Sequence, residues 1–289
     1  MTVVEAPPAL AGSPDTRPAG RLVRNLEIIL PAGVIALVTA ACFLGPVVLP
    51  VPPPTGGSVL EAYLDAGSPG HLLGTDPNGN DIFSRILHGG RSSLVVAVAV
   101  NLIGLAVGGT LGALSGYVGG AVDTVIMRVL DVLIAFPSLV LTLAVAQSLG
   151  ASQTNTILAL AFFSIPAFAR ISRAATLRLR ELPFMAAAQL AGTPGWRVLL
   201  RHIAPNITPQ LITFGMLGMG IVMVIEGALS FLGLGIPLPA PSWGNMIAQG
   251  QQSLSATPML VVWPCLALFV TVLAFNLLGE TLRARWSGR

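Results

Sequence analysis

Residues 181–205 have the sequence ELPFMAAAQLAGTPGWRVLLRHIAP, which combines two helix patterns with the glycine and prolines that bound them. The alanine-rich stretch 181–191 predicts a short helix, and Gly192 stands where a helix-ending glycine is favoured. Pro194 suits the first position of a second helix, and Pro205 is expected to end that helix. The segment therefore predicts two short helices joined by Gly192.

The second of these helices, with Thr193 as its cap, is predicted to have an apolar side and a basic side. Its apolar residues recur at helical spacing and form one face: Trp196, Leu199, Leu200 and Ile203. Arg197 and Arg201 point away from that face. Two alternatives are open, since the face either folds back onto the rest of the chain or docks on a soluble partner.

The composition of the 289-residue chain is that of a membrane protein. Hydrophobic residues make up 54% and charged residues 9%, with a mean hydropathy of +0.81. Soluble domains have about 25% charged residues. All 15 basic side chains are arginines, so the sequence lacks the lysine of a phosphate-binding loop. The composition argues against a soluble enzyme, and we expect any nucleotide to be bound by another chain.

Six apolar windows are each about long enough for a helix to cross a bilayer, which takes about 20 residues. They lie at 28–49, 93–117, 130–149, 155–172, 208–234 and 258–279. The segments between these windows alternate between the two sides of the membrane. Only Arg85 and Arg91 fall on one side, and the other 13 arginines fall on the opposite side. By the positive-inside rule, we expect an all-α membrane protein of six transmembrane helices with both termini in the cytoplasm.

These windows also divide the chain into regions. We predict a flexible cytoplasmic N-terminus at 1–25 and a transmembrane domain at 26–289. Within that domain we expect three long loops: an outer loop at 50–92, a cytoplasmic loop at 173–207 and a second outer loop at 236–257.

The second window has a glycine at every fourth position: Gly104, Gly108, Gly112 and Gly116. Four glycines at this spacing lie on one helix face, where the absence of side chains lets another helix approach closely. A glycine-rich membrane helix without such a partner is the alternative.

Three polar residues inside the predicted spans are candidates for the transport pathway or a gate: Glu226, Asn101 and Gln147. Glu226 is the only acidic residue deep in a span, and an ionisable group in lipid is costly enough to suggest a function. The alternative for Glu226 is a structural hydrogen bond near the outer interface. Asn101 and Gln147 are also suited to hydrogen bonds between helices.

The loop before the second window contains the sequence LGTDPNGNDIFSR at 73–85. Its Asp-Pro-Asn-Gly core predicts a turn. The apolar residues after the turn share one helix face: Ile82, Phe83, Ile86 and Leu87. We expect a short amphipathic helix that lies at the interface on the outer side of the membrane.

The sequence predicts neither a catalytic site nor a metal site. His71, His88 and His202 are dispersed, and the two cysteines lack the spacing of metal ligands. The arginines follow membrane topology and do not cluster on a polar surface, so nucleic acid is not an expected partner.

The cytoplasmic loop resembles the coupling element of ABC importer permease subunits, which has Glu-Ala-Ala, three residues, Gly, nine residues and Ile-x-Leu-Pro. Ala186-Ala187-Ala188, Gly192 and His202-Ile203-Ala204-Pro205 align with it, and the departures are Ala186, His202 and Ala204. The resemblance implies that this loop docks on an ATPase subunit. The docking residues it implies are Ala187, Ala188, Ala191, Gly192, Trp196, Arg197, Arg201 and Pro205.

Other segments resemble the C-type permease of dipeptide, oligopeptide and nickel importers in particular. In the outer loop, the matching residues are Gly74, Thr75, Asp76, Asp81 and Arg85, with Asn80 where that group usually has arginine. Later matches lie at 226–235, 241–244 and 273–279.

The resemblance implies a type I ABC importer permease fold in the bacterial inner membrane. It also implies four partners: a second homologous permease, cytoplasmic ATPase subunits that bind ATP and Mg²⁺, an extracytoplasmic solute-binding protein, and membrane lipid. No cofactor is expected in this chain. Dipeptides or short peptides are the expected cargo, with nickel or other small cargo as the alternative. A passive channel or a membrane-embedded enzyme is the alternative from a different class.

Overall fold

The computed structural model describes residues 18–135 and 137–287, and within these ranges the chain forms nine helices and one short 3-10 helix, Val59–Glu61. In chain order they are α1 (Pro18–Val48), α2 (Ile82–Val118), α3 (Gly120–Ile134), α4 (Ser138–Leu149), α5 (Gln153–Arg180), α6 (Pro183–Leu190), α7 (Gly195–Phe231), α8 (Trp243–Gln251) and α9 (Met259–Ser287). Most of the predicted flexible N-terminus lies outside the described residues. The exception is 18–25, which is the start of α1 and therefore helical.

Five of these helices are long and apolar enough to cross a membrane: α1, α2, α5, α7 and α9. Serine and aspartate caps fix where two of them begin. The Ser84 N–H donates to Asp81 Oδ1 at 2.7 Å at the start of α2, and the Asn155 N–H donates to Ser152 Oγ at 3.0 Å at the start of α5. Such caps satisfy backbone donors that have no partner within the helix.

Helices α2 and α5 run parallel to each other, which determines how the chain returns between them. Gly104 of α2 faces Ser164 of α5, and Gly116 faces Arg173 further along both helices. Because residue numbers increase together along the two helices, the segment between them has to run back in the opposite direction. It does so as α3 and α4, whose 15 and 12 residues correspond to about 22 and 18 Å.

The prediction of one helix across 130–149 is wrong. α3 ends at Ile134 and α4 begins at Ser138, with Pro137 between them at φ −57° and ψ 119°. Proline has no N–H to donate and disfavours the helical conformation in the residue before it. The hydropathy of the window does not show this break, because 132–136 and 139–141 are apolar on both sides of it.

The outer interfacial helix expected after the Asp-Pro-Asn-Gly turn is also wrong, because residues 82–92 are the first turns of α2. Ile82 and Leu87 are buried against the other helices instead of facing lipid head groups. α2 and α7 have 37 residues each, which is about 55 Å, whereas the hydrocarbon core is about 30 Å thick. Both helices therefore extend well beyond the bilayer core, and the outer loop ends at residue 81.

The loop at 173–207 is shorter than expected for the same reason, since 173–180 complete α5 and 195–207 belong to α7. Arg173 and Arg180 are held at the end of α5 by Asp123 and by the Gly116 carbonyl. The outer loop at 236–257 contains α8, whose first turn is closed by a reciprocal Ser242 and Asn245 cap.

The two ends of the bundle differ in charge. The end of α9 meets the start of α1, where Arg285 donates to the Asn25 side chain at 3.5 Å, and it also meets the end of α5 around a shared cavity. We call this the basic end, because Arg178, Arg180 and Arg285 lie there. We call the other end, where α2 begins and α7 ends, the outer end.

Candidate functional site

The loop between α5 and α7 lies at the basic end and turns at Gly192. Gly192 has a φ of +71°, a left-handed conformation that glycine adopts without steric cost. The Thr193 N–H donates to the Ala188 carbonyl at 3.1 Å, which closes the end of α6. Pro194 has φ −65° and ψ 143°, so it precedes α7 and is not its first residue. Its carbonyl accepts from the N–H groups of Arg197 and Val198, which makes Pro194, and not Thr193, the cap.

Pro205 does not end the second helix, contrary to the prediction. The helix passes through a π-helical turn at Leu199–Ile203 and continues as α7 to Phe231. In that turn the Ala204 N–H donates to the Leu199 carbonyl five residues back. The regular hydrogen bonds between residues four apart are therefore already interrupted before Pro205. For this reason, the absence of an N–H on Pro205 removes no regular α-helical hydrogen bond.

The apolar residues of the loop divide between two faces. Val198 and Ile203 are fully buried together with Met185 of α6. By contrast, three large apolar side chains of the loop are exposed by 60% or more: Leu190 by 90%, Trp196 by 60% and Leu200 by 67%. We call these three the loop surface. The expected single face with both Trp196 and Ile203 is wrong, because the π-helical turn interrupts the 3.6-residue period between them.

Basic side chains border the loop surface. The Arg197 guanidinium lies 5.2 Å from the centre of the Trp196 ring, and Arg201 is exposed one turn further along. Ala187 and Ala191 are exposed, whereas Ala188 is half-buried. The result is an apolar patch with a positive margin on the basic end of the molecule.

The glycine stripe of α2 packs on α5 of the same chain. A β-carbon on Gly108 or Gly112 would overlap the backbone carbonyls of Ile165 or Ala169, and one on Gly116 would lie 2.9 Å from the Arg173 carbonyl oxygen. The Ser172 hydroxyl donates to the Gly109 carbonyl at 2.6 Å across this contact. The stripe therefore brings the two helix backbones together, and it ends beside the loop, where Tyr117 packs against Gly195.

The outer-loop residues that resemble the importer signature form a buried polar network. Arg85 is 2% exposed, lies 3.4 Å from Asp76 and donates to the Pro54 carbonyl and the Gln249 side chain. Asn80, the residue at the usual arginine position, donates through its amide to both oxygens of Asp76. The network joins the outer loop, α2 and α8.

The other signature residues shape the turn around this network. Asp81 caps α2 through Oδ1, and its Oδ2 lies 2.9 Å from Nδ1 of His71. The Thr75 hydroxyl donates to the Glu61 carbonyl. Gly74 has a φ of +83°, and a β-carbon there would overlap the Leu64 carbonyl. These residues therefore fix the backbone of the outer loop.

The three pathway candidates lie in different surroundings. Glu226 is 1% exposed, and its two oxygens accept from Ser93 Oγ at 2.9 Å and Ser230 Oγ at 2.7 Å. Asn101 donates to the Ala97 carbonyl at 2.9 Å and borders a cavity of about 160 Å³. Gln147 is on the exposed side of α4. The structure thus does not bring the three side chains together.

Two aromatic residues at the Asn101 cavity were missed in the sequence. Phe168 of α5 and Phe214 of α7 meet edge to face at 4.9 Å and border this cavity. Aromatic residues in apolar helices resemble ordinary core residues, so no sequence signal identifies them.

Two ion pairs tie α3 to α5 at the basic end. Arg173 donates to both oxygens of Asp123 at 2.6 Å, and Arg170 donates to Asp131 at 2.7 Å. Bidentate pairing of this kind is the stronger form of the arginine–carboxylate interaction. Across the described residues, no three His, Cys, Asp or Glu side chains come together as a metal site.

Comparison with known proteins identifies the family of this chain. Residues 108–287 match the family model described as a binding-protein-dependent transport system inner membrane component, which covers more than half of the chain. The chain belongs to this family. As an ABC importer permease of the dipeptide and oligopeptide group, it is a multi-pass protein of the bacterial inner membrane and a transport component.

Curated relatives agree with this assignment, and a solved structure has a similar fold. The permease is 44% identical over 216 residues to the glutathione transport system permease protein GsiD of Pectobacterium atrosepticum, covering 75% of this chain and 72% of the relative. It is 45% identical over 213 residues to GsiD of Escherichia coli O6:K15:H31, covering 74% and 70%. The fold is similar to that of the MetNI methionine ABC transporter in an inward-facing conformation, with a TM-score of 0.56 at 15% identity over 69% of this chain and 95% of that chain.

Proposed function

We propose that this permease forms, with a second homologous permease, the membrane pathway for short peptides of the dipeptide or glutathione class. ATPase subunits, which bind ATP and Mg²⁺, drive the pathway through the loop at 181–205, and a solute-binding protein delivers the peptide at the outer end. The relatives named as glutathione transport permeases support the peptide class.

The loop surface is the observation that carries this proposal. Leu190 at the end of α6 and Trp196 and Leu200 in the first turns of α7 are exposed at the basic end. Leaving three large apolar side chains in water is unfavourable, so a partner that covers them gains free energy. A passive channel has no use for such a surface, and a membrane-embedded enzyme would need converging catalytic groups inside the spans.

The helix beneath the loop surface suggests how docking moves the pathway. Trp196 and Glu226 belong to the same helix, α7, which continues through the π-helical turn at Leu199–Ile203 without a loop. The 30 residues between them correspond to about 45 Å, enough to reach from one side of the bilayer to the other. A shift of the docked end therefore reaches the outer end without passing through a flexible connection.

Charged substitutions in the loop surface test the docking role. Trp196→Asp with Leu200→Asp should prevent the ATPase subunits from co-purifying with the permease pair and abolish peptide-stimulated ATP hydrolysis in liposomes. Leu60→Asp is the matched control, because Leu60 is 96% exposed in the outer loop. ATPase retention and stimulation equal to the control would refute docking at this surface.

The cargo is tested separately with the partner solute-binding protein. Mass spectrometry of the ligand that co-purifies with it should identify a short peptide or glutathione. The same compound should stimulate ATP hydrolysis by the reconstituted complex, and a nickel salt should not. Stimulation by nickel alone would refute the peptide class while leaving the permease role intact.

A further inference from the structure

A cavity of about 540 Å³ opens at the basic end between α5, α7 and α9. Its volume lies within the range of about 300–1,000 Å³ that is common for small-molecule sites. The cavity is separate from the loop surface, and its lining is not part of the coupling element, the glycine stripe or the outer-loop network. Its role is therefore not explained by the features described above.

The wall nearest the basic end is positively charged. Arg178, in the last turn of α5, and Arg283, near the end of α9, both border the cavity. The lining residues from α7 at this level are neutral, namely Gln210 and Thr213. The nearest acidic residue on α9 is Glu280, which is exposed and does not border the cavity. The lining therefore has two positive charges and no negative one.

The other wall of the cavity is apolar, and on both α5 and α7 the lining changes from polar to apolar with depth in the membrane. On α5, Ile171 precedes Arg178 by seven residues, and on α7, Leu217 follows Gln210 by seven residues. α5 runs toward the basic end and α7 runs away from it, so Ile171 and Leu217 both lie about 10 Å deeper in the membrane than the polar residues. Phe214 lies between these two levels.

A tryptophan marks the level of the membrane interface. Trp286 borders the cavity one turn beyond Arg283, after the apolar part of α9. Tryptophan is enriched where the hydrocarbon core meets the head groups. The charged wall is thus at head-group depth and the apolar wall is at the depth of the acyl chains.

We propose that this cavity binds an anionic phospholipid of the inner leaflet. Its phosphate pairs with Arg178 and Arg283, and its first acyl methylenes pack on Ile171, Phe214 and Leu217. Guanidinium groups suit phosphate oxygens because their N–H donors match the spacing of two acceptors. Basic pockets between helices on the cytoplasmic side are also the sites where anionic head groups bind. A soluble anion would use the arginines but leave the apolar wall in water.

The test counts bound lipid on the assembled transporter, so it does not depend on transport. The complex is placed in nanodiscs of phosphatidylcholine that contain increasing phosphatidylglycerol, and retained lipids are counted by native mass spectrometry after release into detergent. We expect the wild type to retain phosphatidylglycerol in preference to phosphatidylcholine. Arg178→Gln with Arg283→Gln should weaken that retention about 30-fold, which corresponds to about 2 kcal/mol, or about 1 kcal/mol for each arginine near an anionic surface.

Arg128→Gln is the matched control, because Arg128 is exposed at the same end but borders a different cavity. It removes one charge and should leave retention unchanged. If the double variant does not assemble, Arg283→Gln alone and the wild-type preference between the two lipids still decide the question. Equal retention of both lipids, equal loss in the Arg128 control, or full displacement by millimolar inorganic phosphate would overturn the proposal, the last result indicating a simple anion site.

Discussion

Replacing Gly112 by alanine is expected to separate α2 from α5. A β-carbon at this position would overlap the Ala169 carbonyl oxygen and would lie 2.7 Å from the Ser172 β-carbon. The obstructing Ala169 atoms are backbone, so no rotamer change relieves the overlap and the helices themselves have to move. Overpacking of this kind costs about 1–3 kcal/mol. Stretching the nearby Ser172 to Gly109 hydrogen bond adds about 0.5–1.5 kcal/mol.

Gly33→Ala provides the comparison, because Gly33 lies inside α1 and a β-carbon there would have no atom within 4 Å. Alanine in place of glycine within a helix is favourable by about 0.5–1 kcal/mol when nothing obstructs it. Thermal unfolding of the purified permease in detergent should therefore place the midpoint of Gly112→Ala below the wild type and that of Gly33→Ala at or above it. A midpoint for Gly112→Ala at or above that of Gly33→Ala would refute close backbone packing of α2 on α5.

Three further outcomes are expected. Glu226→Gln should lower peptide uptake without loss of assembly, because the amide keeps the shape of the side chain but exchanges one acceptor for a donor between two serines; uptake at the wild-type rate would show that Glu226 is structural. Arg85→Leu should destabilise the folded protein by about 3–5 kcal/mol, since it leaves the buried Asp76 charge without its partner, and an unchanged unfolding midpoint in detergent would contradict that pairing. Gly192→Glu should permit membrane insertion, because the space around Gly192 is open. It should abolish peptide-stimulated ATP hydrolysis, because the positive φ at this position strains a non-glycine residue by about 1–2 kcal/mol.

Hydropathy predicted most of the bundle, because lipid imposes a length and composition on each span. It failed at prolines. Pro137 separates two helices, whereas Pro205 lies within one. The difference depends on the π-helical turn before Pro205, beside which Val198 and Ile203 are buried, and no local sequence pattern specifies that turn.

The site residues were predictable where a short motif fixes them and not where tertiary contacts do. The outer-loop motif identifies Asp76 and Arg85, but their pairing and the role of Gln249 from α8 emerge only in the fold. Arg178 and Arg283 are 105 positions apart in the sequence. Nothing in either neighbourhood indicates that they share a cavity.

The continuity of α7 also fixes the directions of the side chains at its two ends relative to each other. Each residue of an α-helix advances the direction of the side chains by about 100°. An insertion of one residue between Thr213 and Gly220 would keep the backbone hydrogen-bond pattern of the helix but would rotate Glu226 by about 100° relative to the loop surface and away from Ser93. The number of residues in this segment is therefore constrained as tightly as their identity. The connection between α8 and α9 is not helical throughout, so we expect it to tolerate changes in length that α7 does not.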